Sequence, residues 1–234
     1  MNPKVGIVQI PCDIEFQKIM KTLTLAAKDN QLHGLILIID NDGGDIGQFS
    51  ALHDLIKKIT TIKPVIGLVC GNACSSGYWI ASATSYLYCS SASDIGSIGS
   101  FLEIEKYSDQ RLASNEKNTI EAKIDYEIFT AATYKTIHNV NAPLSETQRT
   151  YLQNKVKNTY FHLINSISKN RSLSIDNHLD WADAKMFLGH EAVELGLVDS
   201  VGTILDAEVK VLELIKQKFP DTIFDSSIET VELN

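Results

Sequence analysis

The sequence predicts an α/β protein built on a parallel sheet, and three observations point there. Short apolar runs alternate with helix-period patterns from the first residues onward, as in a chain of βαβ units. The run Leu35-Ile36-Leu37-Ile38-Ile39 shows no polar alternation, so helices should cover both of its faces. With 234 residues, 44% of them hydrophobic, the chain can bury one large core, and its composition excludes disorder and collagen-like structure.

The first strand is Val5 to Ile10. Phe16, Ile19, Met20, Leu23 and Ala27 then recur at three- and four-residue intervals, which predicts a helix from Ile14 to Lys28 with Asp13 as its cap. The buried strand Leu35 to Ile39 leads into the turn Asp42-Gly43-Gly44-Asp45. A second helix follows, with Phe49, Leu52, Ile56 and Ile59 on one face. Pro64 ends it, and Val65 to Val69 reads as the third strand. Right-handed crossovers make these strands parallel. Their C-terminal ends then share one edge, where ligands bind in open α/β sheets. The Gly43-Gly44 turn and the segment Gly71-Asn72-Ala73-Cys74-Ser75-Ser76-Gly77 both fall on it.

Further on, Tyr86 to Cys89 is strand-like, and the loop Ser90 to Ser100 is built mostly of small residues. The polar stretch Asn115 to Asp125 reads as a surface excursion. Ser145-Glu146-Thr147-Gln148 matches a capping box. It opens a long helix with Leu152, Val156, Tyr160, Leu163 and Ile167 inward. Ala192 to Val201 holds a short helix, a stop at Gly196 and a strand-like Leu197-Val198. One domain is expected over residues 1–219, with 220–234 as a loosely held tail.

Charge and composition narrow the function. A formal net charge of −8 with no basic patch disfavours a polyanionic partner, so no nucleic acid is expected. No apolar run approaches the roughly 18 residues of a membrane span, so the chain is read as soluble as given. Any membrane association would act through a segment absent from it. Cys12, Cys70, Cys74 and Cys89 lack the pairing of a zinc site and read as small buried residues. No metal or cofactor is expected.

Ser75 stands where a strand ends and the apolar helix Tyr78-Trp79-Ile80-Ala81 begins. Backbone N–H groups there suit a developing oxyanion, although a serine in that place also serves as an ordinary helix cap. Ser76 competes for either role. Gly43 and Gly44 offer backbone donors on the same edge, or are merely a turn. A serine nucleophile needs a base. None of His33, His53, His138, His162, His178 and His190 has a clear claim, whereas Lys135 lies in an otherwise uncharged stretch, Phe129 to Thr136. Desolvation can make a lysine a base; a solvated surface lysine is the alternative.

Four motifs resemble the serine peptidase family of signal peptide peptidase A, also called protease IV, along about Val5 to Ala207. Leu35 to Gly44 is similar to its strand followed by a Ser-Pro-Gly-Gly turn. Ala73 to Ala81 is similar to its Ala-Ala-Ser-Gly-Gly-Tyr-Trp nucleophile motif, which aligns the nucleophile with Ser75. Gly96-Ser97-Ile98-Gly99 matches its Gly-Ser-Ile-Gly loop, and Gly189 to Asp199 its closing Gly-Leu-Val-Asp pattern. The chain departs from the family in having Asp42 for proline, Ser76 for glycine, and Thr136 for the aspartate that follows the lysine.

The resemblance implies a Clp protease/crotonase-like spiral of ββα units, often assembled into rings, so a homo-oligomer is expected. It also implies a serine endopeptidase with a Ser–Lys dyad of Ser75 and Lys135. Ser97 would orient the lysine, and Gly43, Gly44 and the Ser76 backbone would hold the oxyanion. The implied substrates are cleaved signal peptides or other small or unfolded peptides. The rivals are a phage-type capsid maturation protease of the same family, the acyl-CoA chemistry of the crotonase branch, and a catalytically silent scaffold or binding protein.

Overall fold

Strands β1 (Lys4–Ile10) and β2 (Leu32–Asn41) run parallel, Val5 opposite Gly34 and Ile10 opposite Ile39, in a computed structural model that describes residues 2–106 and 127–233. Between them lies α1 (Phe16–Lys28), which starts later than its apolar period suggests. Glu15, not Asp13, holds the cap position, and it makes no side-chain cap bond. The other end of α1 is secured by Lys63, whose buried ammonium donates to the carbonyls of Ala26 (2.9 Å) and Asp29 (2.8 Å). That satisfies orphan carbonyls of a helix end.

Helix α2 (Ile46–Ile62) is capped by Asp45, whose carboxylate accepts from Gln48 N–H, so the Gly-Gly turn leads directly into it. Phe49, Leu52, Ile56 and Ile59 are all buried, as their spacing predicts. Strand β3 (Val65–Cys74) extends well beyond the expected Val69. Its first half lies beside β2 and β4 (Tyr86–Cys89), and its end, Asn72 to Cys74, beside β5 (Asp94–Gly96). This second partner keeps the glycine-containing segment extended where local propensity alone would end the strand. Helix α3 (Ser76–Ser82) follows at once.

The second half of the chain contributes α4 (Glu146–Arg171), α5 (His178–Trp181), β6 (Met186–Leu188), α6 (Gly189–Glu194), β7 (Ser200–Val201) and α7 (Ile204–Lys218). Strand β6 pairs antiparallel with β5, and β7 pairs with β4. Leu197 and Val198 are buried but form no strand; the strand begins at Ser200. The patternless tail also contains a strand. β8 (Glu229–Glu232) pairs in parallel with β1, giving the order β6-β5-β3-β2-β1-β8 with β4 and β7 branching from β3.

Helix α7 packs Ala207, Val211 and Ile215 against Val5, Ile7, Ile36 and Ile66 on one face of the sheet. Leu35, Leu37 and Ile39 alternate to the opposite face, on the side of α1, α2 and α3. Both faces are covered, as the uninterrupted apolar strand requires. Cys74 and Cys89 are buried, whereas Cys12 and Cys70 are exposed, contrary to the expectation that all four are core residues.

Residues group into two compact units. Residues 1–99 and 162–234 form the first, which holds all eight strands; residues 100–161 form the second. In the second, the capping box is reciprocal: Ser145 N–H donates to Gln148 Oε1 (2.9 Å), and Gln148 N–H donates to Ser145 Oγ (3.2 Å). The Asn115–Asp125 excursion lies outside the described residues.

Candidate active site

Strand β3 delivers the chain to Ser75, and α3 begins one residue later. Ser75 has φ 54° and ψ −126°, a left-handed conformation that costs a residue bearing a Cβ about 1–3 kcal/mol. The surroundings enforce it. Ser75 N–H donates to Gly96 O (2.8 Å), and its carbonyl accepts the first helical bond, from Trp79 N–H (3.1 Å). A serine held on a strained strand-to-helix turn presents its hydroxyl outward. Ser75 occupies the cap position of α3 yet makes no side-chain cap bond, so capping does not explain it. Its neighbour is committed elsewhere. Ser76 is 1% exposed, and its hydroxyl accepts from Gly44 N–H (2.8 Å) and donates to Gly44 O (3.2 Å).

The Gly43-Gly44 turn abuts the start of α3. Gly43 has φ +94°, and a Cβ there would lie 2.9 Å from both Cys74 O and Ser76 Oγ, so the close approach requires glycine. Asn41, fully buried, fixes the turn from below. Its Nδ2 donates to Pro11 O (2.6 Å), and its Oδ1 accepts from Gly43 N–H (2.8 Å). Both glycine amides expected as oxyanion donors are therefore already bonded, one to Asn41 and one to Ser76. The turn is in the expected place, but its amides do not stand free. Asp42, where the family has proline, accepts from Asn72 Nδ2 (2.9 Å).

Ser97 follows the carbonyl that receives the Ser75 amide. It is half-buried at φ 48°, and its N–H donates to Lys185 O (2.7 Å). Gly96, at φ +126°, leaves no room for a Cβ beside that same carbonyl. The first unit thus brings together Gly43, Gly44, Ser75, Ser76 and Ser97. Lys135 belongs to the second unit. It sits on a turn where its N–H donates to Ala132 O (3.1 Å). That turn is tied to α4 through Gln148 Nε2, which donates to Thr133 O, and through Tyr134 against Tyr151, ring centroids 4.8 Å apart. Among the described residues the Lys135 side chain is exposed.

Three supports of the site have roles that the sequence does not announce. Asn41 is one; only its position, polar at the end of an apolar strand, hints at it. Behind α3, buried His53 stacks on Trp79 (centroids 4.9 Å apart). Its Nδ1 meets Asp54 Oδ1 (3.0 Å), and its Nε2 meets Asn170 Nδ2 (2.9 Å) and Ser166 Oγ (3.2 Å). This has the order of a hydrolytic triad, but Ser166 Oγ also accepts the Trp79 indole N–H (2.8 Å), which makes the group a strut between α2, α3 and α4. Burial pushes the His53 pKa down. Last, the Gly-Leu-Val-Asp motif anchors α3: Tyr78 OH donates to Leu197 O (2.7 Å). Asp199 Oδ2 accepts from Arg171 Nη1 (2.8 Å) and Leu87 N–H (2.7 Å). Among the described residues no cluster of three or more His, Cys, Asp or Glu is placed to hold a metal, and no helix is long and apolar enough to cross a membrane.

Comparison with known proteins gives the family and the fold. Residues 57–218 match Peptidase family S49. Protease 4 of Haemophilus influenzae is 28% identical over 214 residues, which cover 90% of this chain and 33% of that protein. Capsid assembly protease C of Escherichia phage lambda is 29% identical over 192 residues, 82% of this chain and 42% of that protein. The chain spans less than half the length of either relative. A solved 1510-N membrane-bound stomatin-specific protease superposes with a TM-score of 0.61 at 16% identity, covering 100% of this chain and 99% of that one. That likeness is one of fold, the Clp protease/crotonase-like fold expected above.

Proposed function

The chain belongs to peptidase family S49, and on that premise we propose that it is a serine endopeptidase with Ser75 as nucleophile. The observation that carries this reading is the strained Ser75 backbone at the strand–helix junction, with a hydroxyl not used as a cap. Ser75 Oγ attacks the scissile carbonyl, and neutral Lys135 takes the proton and returns it to the leaving amine. Water then hydrolyses the acyl-enzyme by the same route in reverse roles. Ser97 orients the lysine. Gly43 or Gly44 and the Ser76 N–H hold the oxyanion, each donor worth about 3–4 kcal/mol in comparable sites.

An unperturbed lysine, with a pKa near 10.4, is almost wholly charged at neutral pH. Lys135 is exposed here, and in the working homo-oligomer a bound peptide and a neighbouring subunit cover it. The substrates are cleaved signal peptides or other small or unfolded peptides. The phage lambda relative favours a second reading, cleavage of capsid proteins during assembly.

Labelling with a fluorophosphonate tests the nucleophile. The wild-type protein takes up the label and Ser75→Ala does not; undiminished labelling of Ser75→Ala refutes the assignment. Hydrolysis of a small peptide ester tests the base. Lys135→Arg is inactive, because its guanidinium stays charged. Full activity in that variant excludes Lys135 as the base. Turnover of unrelated unfolded peptides supports the first substrate reading, and cleavage confined to a capsid protein supports the second.

A further inference from the structure

We propose that Ser76 is a latch on the oxyanion site: its side chain holds the Gly43–Gly44 peptide in a resting orientation, and each turnover requires that peptide to swing its N–H into the cleft. This rests on Ser75 being the nucleophile.

The argument begins with what Gly44 N–H does. It points at Ser76 Oγ, 2.8 Å away on a residue that is 1% exposed, and so it faces the protein and not the cleft. The same hydroxyl donates to Gly44 O at 3.2 Å, closing a two-bond clasp on one residue of the turn. The preceding amide, Gly43 N–H, is held by the buried Asn41 side chain. In this state neither glycine has an N–H to give a developing oxyanion. The donor set of a serine peptidase works when it is aimed where charge develops, so an inward-facing amide contributes nothing until it turns.

The turn is built so that it can move at one point. Reorienting the Gly43–Gly44 peptide changes ψ of Gly43 and φ of Gly44, and neither residue has a Cβ to obstruct it. A Cβ at Gly44 would meet, among the described residues and apart from its chain neighbours, the edge of the Phe49 ring, with Cε2 at 3.2 Å. Gly43 is confined by Cys74 O and Ser76, so the movement belongs to the peptide between the glycines and not to the turn as a whole. Asn41, with its second bond to Pro11 O, keeps the base of the turn fixed while this happens.

The clasp exists because position 76 carries a hydroxyl. Alanine or glycine there removes both bonds and leaves Gly44 N–H free to find the oxyanion. Removing one typical hydrogen bond from the resting state should raise kcat about two- to tenfold. The gain appears in kcat and not in KM, because the peptide turns only as negative charge builds on the substrate oxygen. A peptide aldehyde, which forms a hemiacetal with Ser75 and places an oxygen in the same site, should bind tighter by the same factor.

The experiment measures kcat, KM and aldehyde inhibition for the wild-type chain, Ser76→Ala and Ser76→Gly. Raised kcat, unchanged KM and tighter aldehyde binding in both variants are expected. A kcat that is unchanged or lowered in both overturns the latch. Glycine-selective ¹⁵N labelling of the wild-type protein gives a reading that needs no variant to fold. The Gly44 amide resonance moves on saturation with aldehyde, and a resonance that stays put in a fully inhibited sample overturns the proposal. Failure of the wild-type protein to bind aldehyde or fluorophosphonate is a different result, since it refutes Ser75 as nucleophile.

Discussion

Replacing Asp199 by alanine tests whether the closing motif is a structural clamp. Asp199 Oδ2 accepts two bonds, from Arg171 Nη1 at 2.8 Å and from the Leu87 amide at 2.7 Å. Arg171 is 8% exposed in its side chain, and Leu87 is fully buried within β4. Removal of the carboxylate leaves a shielded guanidinium without its counter-charge and a strand amide without an acceptor. Charge-assisted bonds contribute about 1.5–3 kcal/mol, and an orphaned buried donor costs about 1–3 kcal/mol. Asp199 itself is 29% exposed, so water recovers part of the loss and the lower half of each range applies. The expected cost is about 3 kcal/mol, or about 6–12 °C in Tm for a chain of this size. Urea titration of the wild-type protein, Asp199→Ala, Arg171→Met and the double variant measures it. The double variant should lose less than the two single losses added, because it no longer buries a lone charge. A loss below about 1 kcal/mol in Asp199→Ala, or strict additivity, would refute the clamp.

Acid should weaken the strut behind α3. The His53 pKa is lowered from 6.5 in the folded state, chiefly by burial, so its contribution is complete above pH 6.5 and is lost as pH falls through the folded value. The urea midpoint should drop between pH 7 and pH 5, and His53→Gln should flatten that dependence; an equal slope in the variant rules His53 out. Iodoacetamide on the native protein should alkylate Cys12 and Cys70 only. Cys74 and Cys89 are buried, with thiol pKa values pushed up to about 11. Intact mass should show two additions, and fast labelling of all four would show that the core around β3 and β4 is open. Gly43→Ala should abolish peptidase activity and cost about 1–3 kcal/mol, since φ +94° and the contacts to Cys74 and Ser76 both exclude a Cβ. Normal kcat/KM in that variant would remove the turn from the site.

Much of the fold was legible because period and burial coincide. Leu35 to Ile39 has no polar alternation and is covered on both faces, and the four apolar positions of α2 are all buried. What sequence could not supply was set by partners distant in the chain. Strand β3 runs on to Cys74 because β5 lies beside its end, and nothing within Val65 to Ser75 announces that. The tail reads as patternless because β8 is an edge strand with Glu229 and Glu232 in it, and edge strands do not require alternation. At the site, local chemistry left Ser75 and Ser76 equal, and it is the burial of Ser76 and its clasp on Gly44 that separate them. The exposure of Lys135 was equally hidden, because an uncharged neighbourhood in sequence is not a desolvated one in space.

The pairing of β8 with β1 carries a consequence for synthesis. Lys4 leaves the ribosome long before its partner Glu229 is made. Until β8 emerges, the edge of β1 that will receive it therefore offers unpaired N–H and C=O groups, in a strand whose own residues are mostly apolar. Contacts of such long sequence separation form late and slowly. An aggregation-prone window accordingly opens with β1 and closes with β8, and chaperone demand should track the time the nascent chain waits for β8. Truncation just before Glu229 would leave Ser75, Ser76 and the Gly-Gly turn untouched in sequence, yet it should yield insoluble protein by prolonging that window indefinitely.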